Sequence, residues 1–447
     1  MKIALVYMNT EMNVGRGAGY IAGAVLDAGH TLSFFDSAFI PPMQIARQIV
    51  RDNYDVLLVS TMTLVFPMAL NMIRYVKQHS NPVVLVGGIH PTIIGETLLE
   101  EHGEIDYLCI GEGETMVTEF LNHLGSNSLF EVNNLAYRKD GQVFANRLNP
   151  PEDLTTIPPF PWQAFSDQAI VQKPTGFLYV TATRGCPYNC TYCCNGIYLK
   201  HYGKDYIRFR PVDQVMAELT YLKKAYRPDL FYFGDEMILA DTNYAISLFK
   251  AVKARFNTAY GCMIRVEHIT PEITRILKAT GCQYVGMGIE CGDKKFRREH
   301  LNRFMSNRKI IEAFNLLRAA GVFTTSYNMI GFPFENDADL TRKTVRLNQA
   351  VKPDYAQVTI FHPFPGTKLY DHCLEKDLID WQRMATRERY YGESVLKGFN
   401  LQHERINIEK FLNPQGFRFK PLNRGKASGQ GLRMNLKKTG RPSIPVN

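Results

Sequence analysis

No stretch of this 447-residue chain reaches the ~18 uninterrupted apolar residues of a membrane-spanning helix, so the sequence offers no helical span. The first residues, MKIALVYMNTEMNVGRG, lack a cleavage site and read as a first β-strand rather than a signal peptide. The nine cysteines are an odd number without the layout of a disulfide scaffold, which fits a reducing cytoplasm. No second C-x-x-C or His pair follows the one cysteine-dense run, so a zinc site is not supported. Net charge is also scarce where it would matter for polyanion binding. The formal +9 comes from residues 381–447, with 14 Lys+Arg against 4 Asp+Glu, while the remainder holds 38 against 39. Such a basic end is either a solvated tail or an attractor for an anionic substrate or acidic partner. Nucleic acid is not the expected partner.

The informative positive feature is Arg184-Gly185-Cys186-Pro187-Tyr188-Asn189-Cys190-Thr191-Tyr192-Cys193, a C-x3-C-x2-C run. A closed cubane [4Fe–4S] cluster takes four thiolates, one per iron. Three thiolates on one short loop leave one iron open, and an open metal position is where substrate chemistry occurs. Gly185 and Pro187 shape a loop, against the alternative of plain buried or disulfide cysteines. The run resembles the signature of the radical S-adenosylmethionine (SAM) superfamily, with Tyr192 as the aromatic before the last cysteine. An exposed cluster of this kind favours low-oxygen conditions.

The rest of the chain is α/β. Residues 1–125 alternate strand-like runs at 2–8, 31–35, 55–60, 83–86 and 107–110 with helical patterns such as 18–28 and 67–78. That rhythm predicts a doubly wound, Rossmann-like domain with its ligand off the carboxyl ends of the strands. Residues 126–172 are Pro-rich (Pro150, Pro151, Pro158, Pro159, Pro161) and read as a connector over the surface. Strand-like runs then recur at 177–182, 230–233, 262–266, 284–288, 324–330 and 356–361. Six β/α units over 173–375 predict a partial TIM-type barrel, (β/α)6, with its chemistry on the loops after each strand. Residues 376–447 form a basic C-terminal extension.

The resemblance assigns further residues by position in the barrel. Gly234-Asp235-Glu236, after the second barrel strand, resembles the family's Gly-Gly-Glu motif, whose acceptors meet the SAM ammonium. An ammonium presents only donors, so acceptors are what it needs. Asp235 replaces the second glycine, so either carboxylate qualifies. Arg265 suits either the SAM carboxylate or an ion pair with Glu267. Gly288 to Gly292 resembles the ribose-contacting segment, with Glu290 as the acceptor. The turn starting at Gly331 looks like the adenine-side turn; an ordinary βα turn is the alternative for both. Cys194 and Cys291 read as small buried thiols.

The N-terminal domain resembles the cobalamin-binding domain attached to one branch of these enzymes. The matching positions are Ser60 and Thr61, Gly87 and Gly88, and Gly111 and Glu112, where small residues let backbone approach the cofactor's nucleotide tail. Where related cobalamin domains carry a cobalt-ligating His, this chain has Gly15, so cobalamin would bind without a protein ligand on cobalt. His90 reads as a plain loop histidine. The segments 297–303, 326–335 and 361–370 (FHPFPGTKLY) also resemble this branch.

Taken together, the resemblance implies three cofactors: a [4Fe–4S] cluster, SAM and cobalamin. It implies reductive cleavage of SAM to methionine and a 5′-deoxyadenosyl radical, hydrogen abstraction, and methyl transfer to an unactivated carbon of a small-molecule substrate. The partners it implies are that substrate, anionic if the tail contacts it, and an electron donor such as flavodoxin or ferredoxin. The alternative is a cobalamin-independent dehydratase, deoxygenase or cyclase of secondary metabolism. Methylthiolation needs a further three-cysteine cluster in the N-terminal domain, where only Cys109 is found.

Overall fold

The computed structural model describes residues 1–10, 15–165, 177–256, 258–386, 393–399 and 401–419. The chain divides into two compact units, one built on Met1–Gly176 and the other on Phe177–Leu422.

In the first unit, β1 (Lys2–Tyr7), β2 (Thr31–Asp36), β3 (Val56–Ser60), β4 (Val83–Gly87) and β5 (Tyr107–Cys109) form the parallel part of a sheet. Its order is β2-β1-β3-β4-β5. Continuous apolar runs such as Val56-Leu57-Leu58-Val59 are buried on both faces, as parallel strands under helices require. The flanking helices 42–52 and 66–79 bring Ile45, Ile49, Ala69, Ile73 and Val76 onto one face of this sheet. Two more strands, β6 (Leu135–Lys139) and β7 (Gln142–Ala145), extend the sheet antiparallel beyond β5. They lie in the stretch expected to be a connector. Their turn is Asp140-Gly141, with φ of 50° and 78°, the backbone of a two-residue hairpin loop.

In the second unit, six parallel strands run in the order β15-β14-β13-β12-β11-β8. They are β8 (Phe177–Val180), β11 (Leu230–Phe233), β12 (Ala259–Met263), β13 (Cys282–Glu290), β14 (Phe323–Ile330) and β15 (Tyr355–Ile360). A short antiparallel ribbon, β9 (Thr183–Arg184) with β10 (Arg208–Phe209), stands outside the sheet. The sheet is a curled half-barrel, as the six-unit alternation predicted. The third of its strands begins and ends three residues earlier than its apolar pattern suggested. Its opening stretch is weakened as a strand signal by Ala259 and Gly261 but pairs with β11 and β13.

Aromatic side chains fill the half-barrel near the N-terminal ends of its strands. Phe177, Tyr232 and Tyr284 are mutually packed, with ring centroids 5.4–5.9 Å apart. Phe419 sits 5.2 Å from Phe177, and Phe417 lies 5.5 Å from Phe323. The segment bearing them reaches this place along the edge strand β15. There the Asn413 amide accepts from Ala356 N and donates to Ala356 O, both at 2.7 Å. One side chain thus imitates a neighbouring strand on an exposed edge. Residues 401–419, expected within a basic extension, are therefore integral to the half-barrel. Residues 420–447 lie outside the described residues.

Candidate active site

The cysteine loop leaves the sheet at the end of β8, and a buried carboxylate fixes its departure. Asp235 is fully buried, and its Oδ1 accepts from Ala182 N (2.8 Å), Thr183 N (2.5 Å) and Thr183 Oγ1 (2.7 Å). Hydrogen bonds to a carboxylate are stronger than neutral ones, so β11 holds the base of the loop firmly. Gly185 follows with φ 96°, and a Cβ there would stand 2.3 Å from Tyr206 O. The position admits only glycine.

Cys186 and Cys190 are buried and Cys193 is half-buried. Within the loop Cys193 N donates to Cys190 O at 3.1 Å. Donors surround the sulfurs: Arg265 Nη1 lies 3.4 Å from Cys190 Sγ, and Asn195 Nδ2 lies 3.5 Å from Cys193 Sγ. A hydrogen bond from Cys194 lowers the Cys193 thiol to about 6 against the opposing effect of burial. Burial pushes Cys186 up to about 11, and its nearby partners Cys190 and Cys193 add to that rise. Among the described residues no three His, Cys, Asp or Glu side chains converge on a single-ion site. A cubane asks for a different arrangement, one thiolate per iron, with donors to sulfur like those seen here. The loop fits such a cluster.

Arg265 follows the end of β12 and is held on three sides. Its Nη2 donates to Glu267 Oε1 at 2.7 Å, its Nη1 faces Cys190, and its guanidinium carbon lies 3.6 Å from the Tyr188 ring centroid. The ion pair with Glu267 is thus formed, and a cation–π contact accompanies it. Tyr188 in turn pairs with His268 Nε2 at 2.8 Å. Arg265 Nε and Glu267 Oε2 are both buried without a hydrogen-bond partner. Orphaned polar atoms of this kind are costly, and a zwitterionic ligand such as the methionine end of SAM supplies both a donor and an acceptor.

Glu290 ends β13 in the left-handed region, φ 65°, a conformation non-glycine residues adopt at a cost. It pairs with Arg303 Nη1 at 3.1 Å; the two side chains are only 13% and 5% exposed. Arg303 also reaches Tyr192 OH (3.1 Å) and Gly288 O (2.8 Å). Burial raises the Glu290 carboxyl above its usual range, and Arg303 opposes that rise. Tyr192, the aromatic of the cysteine signature, is therefore tied to Glu290 through one guanidinium.

Gly234 and Glu236 flank Asp235. Glu236 is open to solvent by surface area yet walled in by protein. That crowding, then Asp235 and Cys193, push its carboxyl up to about 7, while a backbone hydrogen bond and Arg184 work against the shift. Gly331 donates its N–H to Asp337 Oδ1 (3.0 Å), and Phe332 N donates to the same atom (2.8 Å), so Asp337 shapes that turn. Cys291 is fully buried and Cys194 half-buried. Sequence reasoning named Glu267 only as an ion-pair partner for Arg265 and did not single out Arg303, Tyr188 or Asn195. Arg303 sits in a segment whose resemblance was noted, but nothing in its spacing says that it points inward.

In the first unit the strand order reverses between β1 and β3, which places the ligand crevice off their carboxyl ends. Ser60 ends β3 and Thr61 follows it; Gly87 ends β4 and Gly88 follows it. His90 Nε2 is buried without a partner, while Nδ1 lies 3.2 Å from Thr63 Oγ1 and the ring packs against Phe66 at 4.2 Å, tilted by 34°. Burial lowers this imidazole to about 4, so it stays neutral. Small strand-end residues and an unpartnered ring nitrogen fit the nucleotide tail of cobalamin. After β5 the polar groups are already committed: Gly111 N donates to Thr92 Oγ1 and Glu112 Oε2 accepts from Glu152 N. Gly15 begins the helix Arg16–Asp27, and a Cβ on it would stand 2.6 Å from the Tyr7 ring. Asn13 and Val14 lie outside the described residues.

The Arg303–Glu290 pair yields a stability prediction. Arg303→Met strands a buried carboxylate and should destabilise the protein by about 3–5 kcal/mol, while Arg303→Met with Glu290→Leu should regain most of that loss. Urea denaturation of wild type, both single variants and the double variant measures this; additive losses would contradict it.

Comparison with known proteins agrees with this geometry. A family model for the radical SAM superfamily matches residues 180–342, and one for the B12 binding domain matches residues 14–121. The chain is 25% identical to an uncharacterized methyltransferase, PH0819, of Pyrococcus horikoshii, over 86% of each chain. It is 22% identical to the anaerobic magnesium-protoporphyrin IX monomethyl ester cyclase of Cereibacter sphaeroides, over 92% of this chain and 71% of the other. The fold is that of the radical SAM methyltransferase TsrM of Kitasatospora setae, with a TM-score of 0.68 over 84% of this chain and 76% of that one at 16% identity. The six-stranded half-barrel with its cysteine loop is thus a radical SAM domain, and the doubly wound sheet that precedes it in the sequence is a B12 binding domain.

Proposed function

We propose that this chain is a cobalamin-dependent radical SAM methyltransferase acting on an unactivated carbon of a small molecule. The observation that carries this is the set of groups around Cys186, Cys190 and Cys193, where Arg265 Nε and Glu267 Oε2 are buried and unpartnered. When bound, the cluster and SAM supply a 5′-deoxyadenosyl radical and cobalamin supplies a methyl group. The chain binds, orients and excludes water. Glu236 accepts from the N–H groups of the SAM amino group; Asp235 is occupied with the loop backbone. Arg265 meets the carboxylate of SAM, and Glu290, steadied by Arg303, accepts from its ribose hydroxyls. Gly234 and Gly331 offer backbone. Ser60, Thr61, Gly87 and Gly88 line the place for the cobalamin tail, and Gly111 and Glu112 brace the neighbouring turn. The methyltransferase relative spanning 86% of both chains supports the outcome.

A second reading, a cobalamin-independent dehydratase, deoxygenase or cyclase, is favoured by Gly15, which offers cobalt no side chain. The similarity to an anaerobic cyclase points the same way. Either enzyme needs a reductant, and among the described residues no helix is long and apolar enough to cross a membrane.

Anaerobic reconstitution with iron, sulfide, cobalamin and SAM separates the two. The protein should retain cobalamin and form 5′-deoxyadenosine, and Cys186→Ala, Cys190→Ala and Cys193→Ala should each abolish SAM cleavage. SAM cleavage without cobalamin retention would favour the second reading, and cleavage by the cysteine variants would overturn both. Glu236 adds a pH test. With its carboxyl pushed up to about 7, it loses charge below that pH and regains it above. SAM affinity measured by calorimetry should fall as pH drops through neutrality. Glu236→Gln should bind about tenfold more weakly above neutrality and show a flat profile; an unchanged slope in that variant would remove Glu236 from the role.

A further inference from the structure

The strongest feature left unused lies between β13 and the helix Asn307–Ala319. Residues 294–309, KKFRREHLNRFMSNRK, hold seven Lys and Arg against one Glu. Three of the cations are spent on the fold. Arg297 is fully buried on Cys291 O, Met305 O and Asn307 Oδ1. Arg303 holds Glu290, and Lys309 Nζ donates to Ile269 O. The other four, Lys294, Lys295, Arg298 and Arg308, are exposed and make no ion pair among the described residues. Exposed acids in or next to this stretch include Glu299, Glu312 one turn beyond Arg308, and Glu335, which follows the Phe334 ring packed 4.4 Å from His300. Beside these cations stands Phe304, 63% exposed.

This ridge is bonded directly to the cysteine loop. Thr191 Oγ1 donates to His300 O, Asn302 Nδ2 donates to Asn189 O at 2.7 Å, and Arg303 Nη1 donates to Tyr192 OH at 3.1 Å. The three contacted residues surround Cys190 and precede Cys193. Asn302 reaches its partner from the left-handed region, φ 53°, so the tie is maintained at a backbone cost. From Phe304 the covalent and hydrogen-bonded path to a cysteine ligand runs through Arg303 and Tyr192.

We propose that this ridge is the docking surface for the electron donor, a small acidic protein carrying a one-electron flavin or iron–sulfur centre. Unpaired cations around an exposed aromatic suit a brief encounter with an acidic partner, steered by charge and centred on one apolar contact. Electron-transfer pairs use small interfaces of this type. The donor centre gives up one electron, the cluster takes it, and no atom is transferred. The proposal rests on the cluster reading above.

Reduced flavodoxin is the probe, mixed anaerobically in a stopped-flow instrument with the reconstituted full-length protein while the cluster's visible absorbance is followed. Dithionite, too small to need a docking surface, serves as the control. A triple variant Lys294→Glu, Lys295→Glu, Arg298→Glu and the single variant Phe304→Ser leave every proposed cofactor contact in place. The flavodoxin rate should fall about tenfold or more in the triple variant. Its decline with added salt should vanish there, and Phe304→Ser should slow the same step. Dithionite rates should not change. Equal flavodoxin rates in wild type and variants would overturn the docking proposal. So would single-stranded oligonucleotide binding that the triple variant loses while its flavodoxin rate is unchanged. A wild-type protein that dithionite cannot reduce would instead overturn the cluster reading.

Discussion

Asp235 is the residue on which the second unit's chemistry depends. Its buried oxygen gathers three hydrogen bonds from Ala182 and Thr183, at the point where the chain leaves β8 for the cysteine loop. The same residue sits between Gly234 and Glu236, the groups we propose receive the SAM amino group. One carboxylate therefore sets the position of the loop and of the facing acceptor together. Where the superfamily motif has glycine, this chain has a structural brace. The neighbouring Glu236 is left as the carboxylate free to serve a ligand.

Around that brace, two arginines do different work. Arg265 is pinned by Cys190, Glu267 and Tyr188 and presents its remaining N–H inward. Arg303 binds the strained Glu290 to Tyr192 and Gly288. Burying two cations is costly unless their partners are well aligned, and here the partners include a cysteine sulfur, two carboxylates and aromatic groups. In the reading proposed above, Arg265 and Glu290 are both fixed in place before SAM arrives. The first unit differs in kind. Its strand ends offer small residues and one neutral buried imidazole, and the helix start at Gly15 is packed against Tyr7. Binding there would rest on shape and the nucleotide tail rather than on a bond from protein to cobalt.

Much of this was readable from residues alone. The six half-barrel strands, the five parallel strands of the first sheet and the loop after β8 follow from apolar runs punctuated by turn residues. The Asp140-Gly141 hairpin carried a usable signal, since that dipeptide between alternating residues marks a two-residue turn, but the nearby prolines masked it. Other features had no local signature. Asn413 imitates a strand only because β15 is an edge, and Phe417 and Phe419 look like isolated aromatics in a basic stretch until the half-barrel gives them a hollow to fill. The split between Asp235 and Glu236 was equally hidden. Both are acids after a strand, and only the backbone of Ala182 and Thr183 distinguishes them.

The central claim is that three cysteines hold a cluster whose remaining iron receives SAM. Electron–nuclear double resonance on the reduced, reconstituted protein with SAM labelled with nitrogen-15 at its amino group tests it most directly. The account predicts a hyperfine coupling between the cluster and the labelled nitrogen, absent when unlabelled SAM is used. A cluster signal that SAM leaves unchanged, with no coupling to the label, would contradict it.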